Sequence, residues 1–255
     1  MMWNKNEGDI LADTIKSALQ HVDTLVIADD GSTDNSWNVI QSFAAKRHEI
    51  EHIQRNPNKA DPAQRQQLLN VIRDRYKPED TWVQIIESDI MILDTDVKTA
   101  IKERAVGDVY VNWAVLNAVI PPDKDWDEFD EYPRWSKPIQ DILTHGHWME
   151  EMTYTFRPHD ELYYDTGPWR PWPKGFSQFS SHTKPMGDYT PLLAHYGYRG
   201  PTHTHVKYGK KKVRKYPSWD FTTPARAKAT MYFFNGVWNS EAHPMSRHGY
   251  KNRKG

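Results

Sequence analysis

Leu25-Val26-Ile27-Ala28-Asp29-Asp30-Gly31-Ser32-Thr33-Asp34-Asn35-Ser36 is the stretch whose reading decides the fold. Its first four residues are apolar with no polar alternation, the pattern of a strand covered on both faces. The run then breaks into carboxylates, a glycine and hydroxyls, residues that make turns and cap helices. Trp37, Ile40 and Phe43-Ala44 supply the inward stripe of the helix that follows. A buried strand, a polar turn and a helix in that order make one unit of a parallel α/β sheet.

The same grammar extends on both sides. Ile10, Leu11, Ile15, Ala18 and Leu19 fall on one helical stripe ahead of the strand. After it, Ile50 to Ile53 reads as a short strand, and Asp61-Pro62 as a helix start with proline in the first turn. Leu68, Leu69, Ile72 and Tyr76 give that helix its apolar face, and Pro78 its exit. Trp82-Val83-Gln84-Ile85-Ile86 is a further strand, ending at Glu87-Ser88-Asp89. A helix over 96–104 and a strand over 109–116 complete an α/β half. Short strands are expected at 153–156 and 162–164.

Beyond that half the composition changes. Six of the 11 Trp lie between Trp113 and Trp172, 13 of the 17 Pro between Pro121 and Pro224, and nine of the 12 His after residue 140. The expected organisation is a first half over 1–116, a loop-rich aromatic region over 117–230 and a tail over 231–255. The 255 residues are enough for a sizeable core. With 33 Lys+Arg against 34 Asp+Glu there is no basic excess of the kind a nucleic-acid binder shows. The absence of cysteine excludes disulfides, thiolate metal sites and cysteine catalysis. With no long apolar run and no signal-like start, the expectation is a cytoplasmic protein with at most peripheral membrane contact.

In an open parallel sheet, ligands bind outside the carboxyl ends of the strands. Asp29-Asp30 and Glu87-Ser88-Asp89 both stand at such ends. Carboxylates spaced by one residue can share a hard divalent cation and leave coordination positions for phosphate oxygens. A plain turn with caps explains either cluster alone; two in one α/β half point to a nucleotide and a metal.

The ordered set, Asn6-Glu7, then Val26 to Ser36, then Arg65 at a helix start, then Glu87-Ser88-Asp89, resembles glycosyltransferase family 2. The resemblance covers residues 4–93 and returns in Leu193-Ala194-His195-Tyr196-Gly197-Tyr198 and Lys207-Tyr208. It implies the GT-A fold: a three-layer α/β/α sandwich with a central, mostly parallel sheet, followed by a loop-rich aromatic acceptor region. The implied activity is an inverting, metal-dependent transfer of a sugar from a nucleoside-diphosphate sugar, with a UDP-sugar the first expectation. The acceptor is a saccharide or another hydroxyl. Asn6, Glu7, Asp29, Asp30, Arg65 and Lys207 would hold the nucleotide. Glu87, Asp89 and His195 would hold Mn²⁺ or Mg²⁺.

Three departures from the family pattern stand out. Only Met1 to Lys5 precede the Asn-Glu pair, so the first strand is very short or the natural start lies upstream. Glu87 replaces the first Asp of D-x-D, and Gln66 replaces the Asn of A-R-N. The general base is expected after Thr155-Phe156-Arg157-Pro158-His159, where Asp160, Glu161 and Asp165 are the nearest carboxylates.

Other features keep two readings. His145/His147 and His203/His205 are H-x-H pairs, whose rings face one way if they lie on strands. The bases over 207–215 either close over a diphosphate or form a solvated face, and the tryptophans either stack on sugars or form a core. A non-catalytic carbohydrate-binding protein on the same scaffold, and less so a sugar nucleotidyltransferase, are the alternatives.

Overall fold

A computed structural model describes residues 1–55, 61–93, 96–104, 110–119, 125, 138–141, 143–159, 162–163, 172–173, 192–197, 199, 201–208, 222–223, 225–231 and 243–244. The elements are β1 (Met2–Asn4), α1 (Leu11–Leu19), β2 (Leu25–Asp29), α2 (Ser36–Ala44), β3 (Ile50–Arg55) and α3 (Asp61–Arg75). These are followed by β4 (Val83–Gln84), β5 (Ile86–Glu87), β6 (Ile90–Leu93), α4 (Val97–Arg104), β7 (Tyr110–Val119) and β8 (His145–Phe156). The last are β9 (Leu162–Tyr163), β10 (Trp172–Pro173), β11 (Leu192–His195), α5 (Pro201–Tyr208) and β12 (His243–Pro244). No described helix is long and apolar enough to cross a membrane.

The chain divides into two compact units, 1–114 with 151–191, and 115–150 with 192–255. The first is built on a four-stranded sheet of order β3-β2-β1-β5. The β2–β3, β1–β2 and β1–β5 pairs are all parallel, the expected α/β arrangement. Every residue of β2 is buried, which is why its sequence shows no alternation. Met2, Leu11, Ile15, Leu25 and Ile27 are fully enclosed, and Leu68, Leu69 and Ile72 bury the apolar face of α3.

Two strands differ from expectation. The apolar run 82–86 is not one strand: it breaks at buried Ile85 into β4 and β5. β5 pairs parallel with β1, while β4 pairs antiparallel with β8 through Val83–Phe156 and Gln84–Thr155. One run therefore changes partner midway, and both halves must be apolar. The strand expected at 153–156 is the end of a much longer one, β8. β1, the strand ahead of Asn6-Glu7, covers three residues of this sequence.

The second unit takes in residues 115–119 of β7, residues 145–150 of β8, and β11 and β12, the strand order being β12-β8-β7-β11. β12 pairs antiparallel with β8, His243 opposite Gly146. Arg199, fully buried, donates to the Tyr196 carbonyl at 3.2 Å. In α5 the Thr204 hydroxyl lies 3.7 Å from the sulfur of Met231, which ends a helical stretch over 225–231. Most of the aromatic region falls outside the described residues, including Trp126, Trp135 and Trp169.

Candidate functional site

β1 ends at Asn4 and β2 at Asp29, and the register sets these two residues opposite each other. The next strand out sets Arg55 opposite Asp29. A row of polar side chains thus crosses the carboxyl edge of the sheet, where the sequence places its turn chemistry.

Asp29 is fully buried, and its carboxylate organises the following loop. It accepts from Asn4 Nδ2 at 2.9 Å, from the Ser32 hydroxyl at 2.5 Å and from the Ser32 amide at 2.9 Å. The Arg55 guanidinium lies 3.5 Å away, donates to the Ser32 carbonyl at 2.9 Å and sits 5.6 Å from the Trp37 ring centre. Hydrogen bonds to a buried carboxylate are among the stronger ones in proteins, so this loop is tightly held.

A second loop, 5–8, is laced to the first. The Asn6 side-chain carbonyl accepts from the Thr33 amide at 2.8 Å, and the Asn6 amide donates to the Ser32 hydroxyl at 2.9 Å. The Gly8 amide donates to Asp34 at 2.9 Å, and the Glu7 amide to the Ser36 hydroxyl at 3.1 Å. A Cβ on Gly8 would lie 3.0 Å from the Ser36 amide nitrogen, so a side chain there would press the two loops apart by a few tenths of an ångström. Asn6 and Gly31 take positive φ, of 55° and 63°, the left-handed conformation that asparagine and glycine tolerate best. Glu7 is buried, and its carbonyl accepts from the amides of Ile10 and Leu11 to begin α1.

Asp30 is the carboxylate this scaffold presents. It is partly exposed, and Lys5 Nζ at 2.8 Å and Gln64 Nε2 at 2.6 Å each bond one of its oxygens. The third carboxyl end adds Glu87, the last residue of β5, and Ser88-Asp89, the turn between β5 and β6. Thr14 of α1 pins that turn by donating to the Ser88 carbonyl at 2.9 Å. Asp89 is 4 % exposed and Glu87 more open. Arg65 of α3 is 2 % exposed, with its guanidinium carbon 3.1 Å from the Trp3 ring centre and one nitrogen 3.5 Å from Glu87.

Of the residues expected to bind nucleotide or metal, Asn6, Glu7, Asp29, Asp30, Arg65, Glu87 and Asp89 all belong to this end of the first unit. His195 closes β11, half-buried, and Lys207 lies in α5, both in the second unit. The candidate bases Asp160, Glu161 and Asp165 lie outside the described residues. Their approach is described, however. Arg157 donates to the carbonyls of Pro78 and Glu79 and stacks 4.5 Å from the Trp82 ring, while Arg73 donates to the carbonyls of Pro158 and His159. Residues 157–159 therefore sit by the segment that leads into β4, at the amino end of that strand.

His203 and His205 lie on α5, not on a strand. Residues two apart on a helix do not share a face, and accordingly His203 is buried while His205 is half-exposed. The strand condition for a common orientation is thus not met at 203 and 205, whereas His145 and His147 do lie on a strand, β8.

The sequence reading missed Trp3, Asn4, Lys5, Arg55 and Gln64. Three of these belong to or follow a strand too short to show any periodicity. The signal for Arg55 was its place at the end of a strand adjoining the Asp-Asp turn. A cavity of about 330 Å³ lies at the other end of the sheet, lined by Met1, Thr24, Tyr76 and Trp82 among others. The Met1 amino group there donates to the Gln84 carbonyl at 2.6 Å, and burial lowers its pKa from 8.0 to about 5.

The chain is similar to a mannosyltransferase from Pyrobaculum calidifontis, PcManGT, solved with GDP-Man and Mn²⁺. The identity is 14 %, over 94 % of this chain and 70 % of that one, with a TM-score of 0.42. It is similar also to S. aureus TarS 1–349, at 9 % identity over 93 % of this chain and 71 % of that one, TM-score 0.38. With the UDP-GlcNAc complex of TarS 1–349 it shares 13 % identity over 49 % of this chain, TM-score 0.33, and spans about a third (34 %) of that protein's length. No curated protein matches it by sequence. Residues 1–157, well over half of the chain, match the sequence pattern of Glycosyl transferase family 2, and the protein belongs to that family.

Proposed function

We propose that this chain transfers a sugar, with inversion, from a nucleoside-diphosphate sugar to an acceptor hydroxyl, on a three-layer GT-A scaffold. The observation that carries the reading is the pair of laced loops at the carboxyl ends of β1 and β2, with Asp30 held by Lys5 and Gln64 on the sheet edge where β5 also ends. A partly exposed carboxylate held by Lys5 and Gln64 is preorganised to accept from a nucleobase or a ribose hydroxyl. Asn6 and Glu7 frame the nucleotide by shaping the loop, and Asp29 acts through that loop.

The acidic turn offers hard oxygen donors and no soft ones, a set that suits Mn²⁺ or Mg²⁺. Glu87 and Asp89 are the two acids this strand end offers, and Asp89 is the first to test as the donor. A divalent ion so held supplies charge that stabilises the departing nucleoside diphosphate. The chain's own contribution is to orient the donor, exclude water and take up the acceptor proton on Asp160, Glu161 or Asp165. UDP is the first nucleotide to try, and GDP the second, since the solved structures above hold UDP-GlcNAc and GDP-Man.

The test is the melting temperature in UDP, GDP, CDP and dTDP, each with and without Mn²⁺. A ligand at 100 times its dissociation constant stabilises the fold by about 2.7 kcal/mol. At least one nucleotide is expected to raise the melting temperature more with Mn²⁺ than without, and Asp89→Asn to remove the difference. If no nucleotide at millimolar concentration shifts the transition, the chain is not a nucleotide-sugar enzyme, and the carbohydrate-binding alternative replaces it.

A further inference from the structure

Glu87 stands where the resemblance implies a metal ligand, and its strand sets it on the face of Trp3. In the β1–β5 pair Glu87 lies directly opposite Trp3. Side chains of residues paired across adjacent strands project to the same face of a sheet. On that face α3 lays Arg65, its guanidinium carbon 3.1 Å from the Trp3 ring centre and one nitrogen 3.5 Å from Glu87 Oε1. Asn4 and Asp29, one register step further on, project to the opposite face.

Arg65 is 2 % exposed. A guanidinium taken that far out of water needs negative charge beside it, and the face of an indole ring meets the need only in part. Glu87 supplies a carboxylate. Were the same carboxylate bound to a divalent cation, its charge would be largely spent there, and a buried guanidinium would lie a few ångströms from the ion. Aspartate at 87, one methylene shorter, would draw the carboxylate back toward the strand and away from Arg65. Glutamate fits the span.

We infer that Glu87 is the counter-ion that holds Arg65 on Trp3, a positioning residue, and that Asp89 alone provides the acidic turn's carboxylate to the metal. In this role the first acid of the motif braces α3 against the sheet. The inference rests on the nucleotide-and-metal reading above, and it divides between two neighbouring acids what that reading gives to both.

The experiment uses the full chain and two readouts. Mn²⁺ binding is followed in saturating UDP by the loss of the free-ion paramagnetic resonance signal, for wild type, Glu87→Gln and Asp89→Asn. Glu87→Gln is expected to leave the Mn²⁺ dissociation constant within about threefold of wild type, and Asp89→Asn to raise it at least tenfold. Urea unfolding of Glu87→Gln, Arg65→Gln and the double variant is then expected to show coupling of about fivefold or more in the unfolding constant. If Arg65→Gln does not fold, the cycle is run with Arg65→Lys, which keeps the charge and loses the planar stack. Mn²⁺ binding weakened as much by Glu87→Gln as by Asp89→Asn overturns the inference, as do additive stability losses at 65 and 87. Wild type that binds neither UDP nor Mn²⁺ overturns the functional reading instead, and the unfolding cycle still decides whether Glu87 and Arg65 act as a pair.

Discussion

Asp29 is the residue on which the candidate site depends most, though solvent does not reach it. Its two oxygens collect the Asn4 amide, the Ser32 amide and the Ser32 hydroxyl. Replacement by asparagine keeps the shape but turns one acceptor into a donor, so at least one of those N–H or O–H groups faces a like group. Leaving a buried polar group unsatisfied costs about 1–3 kcal/mol, more when a charged partner is lost, and Arg55 at 3.5 Å loses one. Asp29→Asn is therefore expected to lower unfolding stability by about 2–3 kcal/mol in urea titration and to weaken nucleotide binding through the loosened loop. A loss below about 0.5 kcal/mol, the scale of an ordinary surface change, would show that the loop holds itself without this carboxylate. Its neighbour Asp30 shows the opposite design: partly exposed, steadied by two polar side chains, and facing outward.

At the scale of elements, β2 was readable because a strand buried on both faces has to be uniformly apolar, and the turn after it has to change composition abruptly. The helices α1 and α3 were readable from their stripes. β1 was not, since three residues cannot display a period, and its role had to come from the resemblance. The break at Ile85 was hidden for a related reason: both halves of the 82–86 run are buried, so a change of partner leaves no mark on hydrophobicity. The ion pair of Lys5 with Asp30 and the stack of Arg65 on Trp3 join residues 25 and 62 positions apart, beyond any local pattern. β8 bears on the general base. Its exit over 157–159 runs beside Pro78 and Glu79, at the amino end of β4, whereas the laced loops are at the carboxyl ends of β1 and β2. Asp160→Asn, Glu161→Gln and Asp165→Asn are to be assayed singly for sugar transfer. The one that is the base is expected to lose about 100-fold or more in turnover while keeping nucleotide affinity. If all three retain turnover, the base comes from another element.

For the whole molecule, 33 basic and 34 acidic side chains nearly cancel, giving a net charge of -1 and an isoelectric point near 6.9. A chain close to zero net charge lacks the repulsion that keeps copies apart. Light scattering at low salt is expected to peak near pH 6.9 and to fall by about pH 8.5, where the net charge grows. A scattering profile flat across that range would mean that local patches, not net charge, set association. The balance also separates by place. Acids gather at the carboxyl ends of the first unit's strands, and Lys207, Lys210, Lys211, Lys212, Arg214 and Lys215 follow one another in the second. A neutral total is thus compatible with a metal site and a phosphate site on one chain.

The lacing of loop 5–8 to loop 29–36 has a consequence for inheritance and for engineering. Because Gly8, Asn6 and Glu7 bond to Asp34, Thr33 and Ser36, each loop takes part of its shape from the other. A graft that imports the second loop from a relative with a different nucleotide preference would arrive without its template and settle wrongly. Moved as a pair, the two segments would travel as one cassette, so the heritable unit of this sheet edge is discontinuous in sequence.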